Sequence, residues 1–139
     1  MMRVLKKDLE TIFRERAFGI PIYQRGYDWK KLNRETFWND LVHHIDQDKN
    51  IFLGTIILND NNGEDKLEEV DHFTRVSIVD GQQRFTTITI LLVALKEAFK
   101  ERKLEEEAKE NPDETLVRKC NKNIELMLDK FLAIYDKDL

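Results

Sequence analysis

Within eight positions, Asp80, Gly81, Gln82, Gln83, Arg84, Thr86 and Thr87 bring together a carboxylate, a residue without a side chain, two amides, a guanidinium and two hydroxyls. That set can cradle a phosphate. The preceding Val76-Ser77-Ile78-Val79 reads as a buried apolar strand, and a long apolar helix opens directly after the Asp-Gly turn. Free N–H groups at a helix start, backed by the positive end of the helix dipole, favour an anion. Gly81 lets that anion approach the backbone, Arg84 lies one turn on to clamp it, and Thr86 adds a hydroxyl. A plainer alternative uses the same residues. Asp-Gly is a common turn dipeptide, with Asp80 as an N-cap, Arg84 solvated and the Thr pair packed along the helix.

A second group stands far upstream. In Phe18-Gly19-Ile20-Pro21-Ile22-Tyr23-Gln24-Arg25-Gly26-Tyr27-Asp28-Trp29, the Gly and Pro residues exclude a helix and favour an extended segment ending in a turn. Tyr23, Tyr27 and Trp29 beside Gln24 and Arg25 suit packing over a base, a sugar or a phosphate. Equally, the aromatics could anchor the loop to the core while Arg25 pairs with an acid.

The elements that must position these groups follow from periodicity. Residues 5–16 suit a short helix with Leu5, Leu9, Ile12 and Phe13 on one face. Residues 33–48 form an amphipathic helix with Asn33 as N-cap and Phe37, Trp38, Leu41, Val42 and Ile45 on one stripe. Its His43 and His44 point about 100° apart and do not converge on one metal ion. Residues 51–58 read as a strand in which Gly54 permits close backbone approach. The polar cluster 59–65 closes a hairpin onto a strand within 67–79, with Glu68, Glu69 and Asp71 on its exposed side. The helix after Arg84 is apolar nearly all round for three turns and is expected to be central and buried. Asn111-Pro112-Asp113 ends it and starts a final helix, with Pro112 in the first turn and Leu116, Cys120, Ile124, Met127, Leu128, Phe131 and Tyr135 on its stripe.

Composition bounds what such a chain can be. Its 139 residues, 41% hydrophobic and 36% charged, suit one globular unit with a real core. No apolar run approaches a membrane span, and the N-terminus has no secretory core, so a cytoplasmic protein is expected. One cysteine excludes an internal disulfide and a Cys-rich zinc site. The net charge of −4 is uneven: residues 1–35 hold nine basic and five acidic residues, +4, and the remainder 14 and 22, or −8. A polyanion would therefore meet the N-terminal part and the turn at Arg84. The helical end, Asp136-Lys137-Asp138-Leu139, carries no stop signal. Residues 105–139 are accordingly expected to be a helical extension leading to a further C-terminal region, after a domain at 1–104.

Two stretches together resemble the paired signatures of GmrSD-type restriction proteins: Ile20-Pro21-Ile22-Tyr23-Gln24-Arg25-Gly26-Tyr27-Asp28-Trp29 and Val79-Asp80-Gly81-Gln82-Gln83-Arg84-Phe85-Thr86-Thr87. Between them, Phe52-Leu53-Gly54-Thr55-Ile56-Ile57-Leu58 resembles that family's intervening strand, so the likeness covers about residues 8–99. It implies an α+β fold of the ParB/sulfiredoxin-like kind: a small mixed sheet with a hairpin, a central buried helix and C-terminal helices. It also implies a nucleoside triphosphate at the turn-to-helix motif, with Mg²⁺, in NTP-dependent restriction of phage DNA, often modified DNA.

Carried over residue by residue, Gly81 and Arg84 would contact phosphates, and Gln24 and Arg25 would close the site from the opposite side. Asp80 would orient the turn or a metal-bound water, and Gln82 or Gln83 would position the attacking water. Two departures stand out. No cysteine occupies the motif, which excludes a sulfinic-acid reductase. A His-Asn-His nuclease pattern is missing too, so a separate nuclease domain or subunit is the expected partner and this chain alone should not cut DNA. A different class also fits these residues: a DNA or modified-base binding module without turnover, in which Tyr23, Tyr27 and Trp29 stack on nucleic acid. A third reading is a remnant whose motif is now structural. The late helices could pair two chains into a homodimer.

Overall fold

A computed structural model describes residues 4–14, 16–21, 23, 25–47, 50–59 and 74–132. Gln24, the acids Glu68, Glu69 and Asp71, His72, Tyr135 and most of the 59–65 cluster lie outside the described residues. The elements are α1 (Leu9–Arg14), β1 (Arg16–Gly19), α2 (Lys31–Asp46), β2 (Ile57–Asn59), β3 (Thr74–Asp80), α3 (Gln82–Glu107) and α4 (Glu114–Met127). A π-helical segment, Leu128–Leu132, continues α4. The fold is α+β, with a sheet in the order β1–β3–β2. Two compact units divide it: Ala17–Thr87, and Met1–Arg16 with Ile88–Leu139.

In the first unit β3 is the central strand, and Val76 and Ile78 are buried along it. β2 runs antiparallel to it, with Asn59 opposite Ser77, Leu58 opposite Ile78 and Ile57 opposite Asp80. The register therefore steps over Val79, a β-bulge immediately before the Asp-Gly turn. Without it, Asp80 would share the core-facing side with Val76 and Ile78, because side chains alternate along a strand. The bulge turns Asp80 outward, and the carboxylate is exposed. Phe18 from β1 packs on Phe85 at 4.4 Å between ring centroids, joining sheet and helix.

The strand expected over 51–58 is shorter, pairing only from Ile57 onward. Gly54 has φ +96, outside strand geometry, so 51–56 approaches the motif as irregular backbone. α2 begins at Lys31 rather than after Asn33. Asn33 is not the N-cap; from the third helical position its Oδ1 accepts the Lys30 N–H at 3.0 Å. The stripe on α2 is narrower than its periodicity suggested, with Phe37, Leu41 and Val42 half-buried but Trp38 and Ile45 exposed. The histidines go separate ways, His44 to the Asp40 carbonyl and His43 to the Gln47 amide. Among the described residues no cluster of three His, Cys, Asp or Glu could hold a metal.

In the second unit, α1 packs against the π-helical segment through Phe13 and Phe131, edge to face at 6.1 Å, with Lys130 paired to Glu10 at 2.9 Å. Asp8 caps α1 by accepting the Thr11 N–H at 2.7 Å, so the helix starts later than expected and ends sooner, where Arg16 enters β1. Burial along α3 is one-sided: Phe85, Ile88 and Leu92 are buried, while Ile90 and Val93 are exposed. An all-round apolar pattern outruns what a chain this small has available to cover it. α4 is capped by Asp113, whose Oδ1 accepts from Thr115 and Leu116. Pro112 therefore stands just before the cap rather than in the first turn. Cys120 is buried packing, as expected. No helix among the described residues is long and apolar enough to cross a membrane.

Candidate functional site

The bulge at Val79 and the turn that follows set the site. Gly81 has φ +84, a left-handed conformation that costs an L side chain but not glycine. A Cβ there would lie 3.1 Å from both the Thr55 carbonyl oxygen and the Ile56 Cγ1, so the turn is pressed against the 54–56 backbone. Asp80 folds back on the turn, its Oδ1 accepting the Gly81 N–H at 2.7 Å. The first helical bond of α3 is Phe85 N–H to the Gly81 carbonyl, 3.0 Å. The N–H groups of Gln82, Gln83 and Arg84 precede that bond and have no intrahelical acceptor.

Arg84 is seated by a second left-handed glycine. A Cβ on Gly54 would fall 2.6 Å from the Arg84 Cζ, so the guanidinium occupies the space where a side chain at 54 would stand. No carboxylate among the described residues pairs with Arg84. Around these groups lies a cavity of about 270 Å³, with walls from Thr55, Val79, Asp80, Gly81, Gln82, Gln83 and Arg84 on one side and Arg25 and Trp29 on the other. Among the described lining residues two guanidiniums, Arg84 and Arg25, stand with one carboxylate, Asp80, and Asp28 lies 4.0 Å from Arg25.

The expected residues divide into three groups. Asp80, Gly81, Gln82, Gln83, Arg84, Arg25 and Trp29 share the cavity. Thr86, Tyr23 and Tyr27 do not line it: Thr86 is half-buried along the helix and Tyr23 is 79% exposed. The hydroxyl of Tyr27 bonds Thr87 Oγ1 at 3.0 Å. Gln24 is outside the described residues. Both glutamine amides turn toward the aromatic loop. Gln82 Nε2 donates to the Arg25 carbonyl at 3.0 Å, and Gln83 Nε2 to the Gly26 carbonyl at 2.9 Å. Gln83 Oε1 accepts the Asp28 N–H at 2.6 Å. Arg25 reaches Asp28 only at 4.0 Å and is well exposed, while Trp29 packs on Phe37 at 5.7 Å.

Thr55 and Val79 line the cavity without having been singled out, and Gly54 seats the guanidinium. A glycine inside an apolar β-rich run was the one signal pointing to that segment. A further cavity, about 510 Å³ beside Glu107, Pro112, Glu114, Val117 and Arg118, holds an exposed ion pair, Arg118 to Glu114 at 3.5 Å. It offers no convergent set of polar groups.

Sheet, bulge, glycine turn and helix start together define a class: a small α+β domain carrying a basic strand–turn–helix cavity. The chain belongs to the GmrSD restriction endonuclease N-terminal domain family, whose family model matches residues 9–138 and so spans both motifs and the segment between them. Among curated proteins nothing matches the chain.

Proposed function

We propose that this domain binds a nucleoside triphosphate by its phosphates at the Asp80–Arg84 turn and, with Mg²⁺, hydrolyses it in the service of DNA restriction. The observation that carries this reading is that Arg84, Arg25 and the first turn of α3 line one cavity with a single carboxylate among the described residues, Asp80. At about 270 Å³ the cavity is just below the roughly 300–1,000 Å³ of whole small-molecule sites, a size suited to a phosphate tail with the base outside it. Family membership supports a part in restriction, and the ParB/sulfiredoxin-like kinship that the resemblance implies would account for the turn-to-helix site.

The chemistry would be in-line attack of water on the terminal phosphorus, breaking its bond to the bridging oxygen and releasing the diphosphate and inorganic phosphate. Such transfer depends on positioning and charge neutralisation. Arg84 and the α3 amides would hold the phosphoryl oxygens, with Arg25 facing them. Asp80 is the one carboxylate among the described residues lining the cavity, and Mg²⁺ is commonly held by one or two carboxylates together with phosphate oxygens. The donor set therefore fits the ion, with Asp80 as its protein anchor and a polarised water as what it supplies.

Thermal melting against ATP, GTP, CTP and UTP with Mg²⁺ tests the site. At 100-fold excess over its dissociation constant a ligand adds about 2.7 kcal/mol. Stabilisation by at least one nucleotide, lost in Arg84→Ala, is expected; an equal shift in the variant, or none in either, rejects the site. A second reading, a DNA-binding module without turnover, draws on the exposed Tyr23 beside Arg25, Lys30, Lys31 and Arg34. Salt-sensitive DNA binding that is lost in Arg25→Ala and indifferent to nucleotide would favour it.

A further inference from the structure

Gln83 presents an acceptor and a donor side by side, and both are taken by the backbone of one short stretch. Its Oε1 accepts from Asp28 N–H and its Nε2 donates to the Gly26 carbonyl, residues two apart on the loop. A primary amide is the side chain that offers this pair: a carboxylate lacks the donor, and an ammonium lacks the acceptor. The amide thus pairs with the loop as the edge of a neighbouring strand would. Gln82 adds its bond to the Arg25 carbonyl and is buried; Tyr27 adds a hydroxyl contact to Thr87, which itself donates to the Gln83 carbonyl at 2.8 Å. Four consecutive loop residues, Arg25 to Asp28, are therefore bound to the first two turns of α3.

We infer that Gln83 is a positioning residue of the anion site, holding the Arg25–Trp29 segment against the first turn of α3 so that Arg25 and Trp29 wall the same cavity as Arg84. This rests on the nucleotide-phosphate reading of the cavity. It assigns Gln83 a role different from orienting water, because Oε1 and Nε2 each already bond the loop, which fixes the amide plane toward that backbone. Loop docking and phosphate binding are then one linked equilibrium. Whatever releases the loop removes a wall and a charge from the site, and a ligand held by both walls stabilises the docked loop.

The test uses the full chain with Trp38→Phe, which leaves Trp29 as the sole tryptophan and replaces a side chain that is 48% exposed. Acrylamide quenching of Trp29 without nucleotide reports docking, and calorimetry with ATP and Mg²⁺ reports binding. Gln83→Glu keeps the acceptor and sets a second oxygen against the Gly26 carbonyl. Its expected effects are roughly doubled quenching and a dissociation constant about tenfold higher, the scale of one or two lost hydrogen bonds. In turnover, KM should rise with kcat at saturation nearly kept. Tyr27→Phe removes one outlying hydroxyl and leaves the Gln83 bonds intact; it should move quenching and affinity in the same direction by less, even if the Glu variant folds poorly.

If Gln83 acts on the water instead, Gln83→Glu leaves quenching and affinity unchanged and kcat collapses; that result overturns the inference. Changed quenching with unchanged ATP affinity overturns it as well, while leaving the nucleotide site standing. If Tyr27→Phe moves neither readout while the Glu variant is unfolded, the docked loop does not control the site and the inference fails. Failure of the Trp38→Phe parent to bind any nucleotide removes the underlying reading, and the positioning role with it.

Discussion

Gly54 and Arg84 are thirty positions apart in the chain, yet one exists in the shape the other needs. The guanidinium lies where a side chain at 54 would sit, and the backbone at 54 adopts a left-handed φ of +96. Both constraints act on Gly54→Ala. The backbone strain is on the order of 1–3 kcal/mol, and the new methyl group displaces Arg84 from its seat. We expect a lower melting temperature together with ATP affinity weakened about tenfold or more, since a misplaced guanidinium loses its charge-assisted bonds. Gly26→Ala is the control, because a Cβ there meets nothing within 4 Å. If both alanine variants bind ATP like the parent, Gly54 does not seat the phosphate-binding Arg.

At the scale of elements, the corner between α3 and α4 depends on a buried carboxylate. Glu106 is only 4% exposed, with Oε2 accepting from Lys109 Nζ at 2.6 Å and Oε1 from the Asp113 N–H at 3.1 Å. The Lys109 bond first, and the Asp113 N–H next, hold its carboxyl below its ordinary value of 4.5. A folded value below the unfolded one means that the unfolded chain takes up the proton more readily. The stabilisation is therefore complete above the unfolded value and declines as pH falls from about 4.5 through the lowered folded value. Asp8 and Glu97 are shifted in the same direction, by the Thr11 N–H and by the Lys96 side chain respectively. The informative quantity is thus the difference between the parent and Glu106→Gln. Urea unfolding from pH 7 to pH 3 should show that difference largest at neutral pH and vanishing in acid. A constant difference across the range would mean that the Glu106 charge contributes nothing at this corner.

For the whole molecule, membership of a restriction-endonuclease family raises the question of what this part contributes. The basic cavity lies in the Ala17–Thr87 unit, and in the proposed reading it serves a nucleotide and not the cutting of DNA. Supercoiled plasmid incubated with the purified chain, Mg²⁺ and ATP should stay intact. Nicking that persists through purification and disappears in Asp80→Asn would instead make this domain a nuclease in its own right. With the plasmid intact, the proposed nucleotide site would act upstream of cleavage carried out by a nuclease partner, and adding ATP to the complete restriction protein is expected to change its cutting rate.

Several features were legible from residue types alone. The strand–turn–helix at Asp80–Arg84 was readable because a buried β-run, an Asp-Gly pair and an apolar helix are all local signals. The α+β class and the family followed from two short motifs in order. The packing of Cys120 followed from its place on an apolar stripe. What required the tertiary structure depends on contacts between distant segments. The bulge that turns Asp80 outward is a register between β2 and β3, and no property of Val79 announces it. The seat for Arg84 depends on backbone thirty residues away. The family resemblance assigned the attacking water to Gln82 or Gln83, and only their partners on the Arg25–Asp28 loop show where the amides are bonded. Sequence alone determined which groups are available at this site. Long-range contacts decided their directions, because a side chain's free partners are set by what packs beside it and not by its neighbours in the chain.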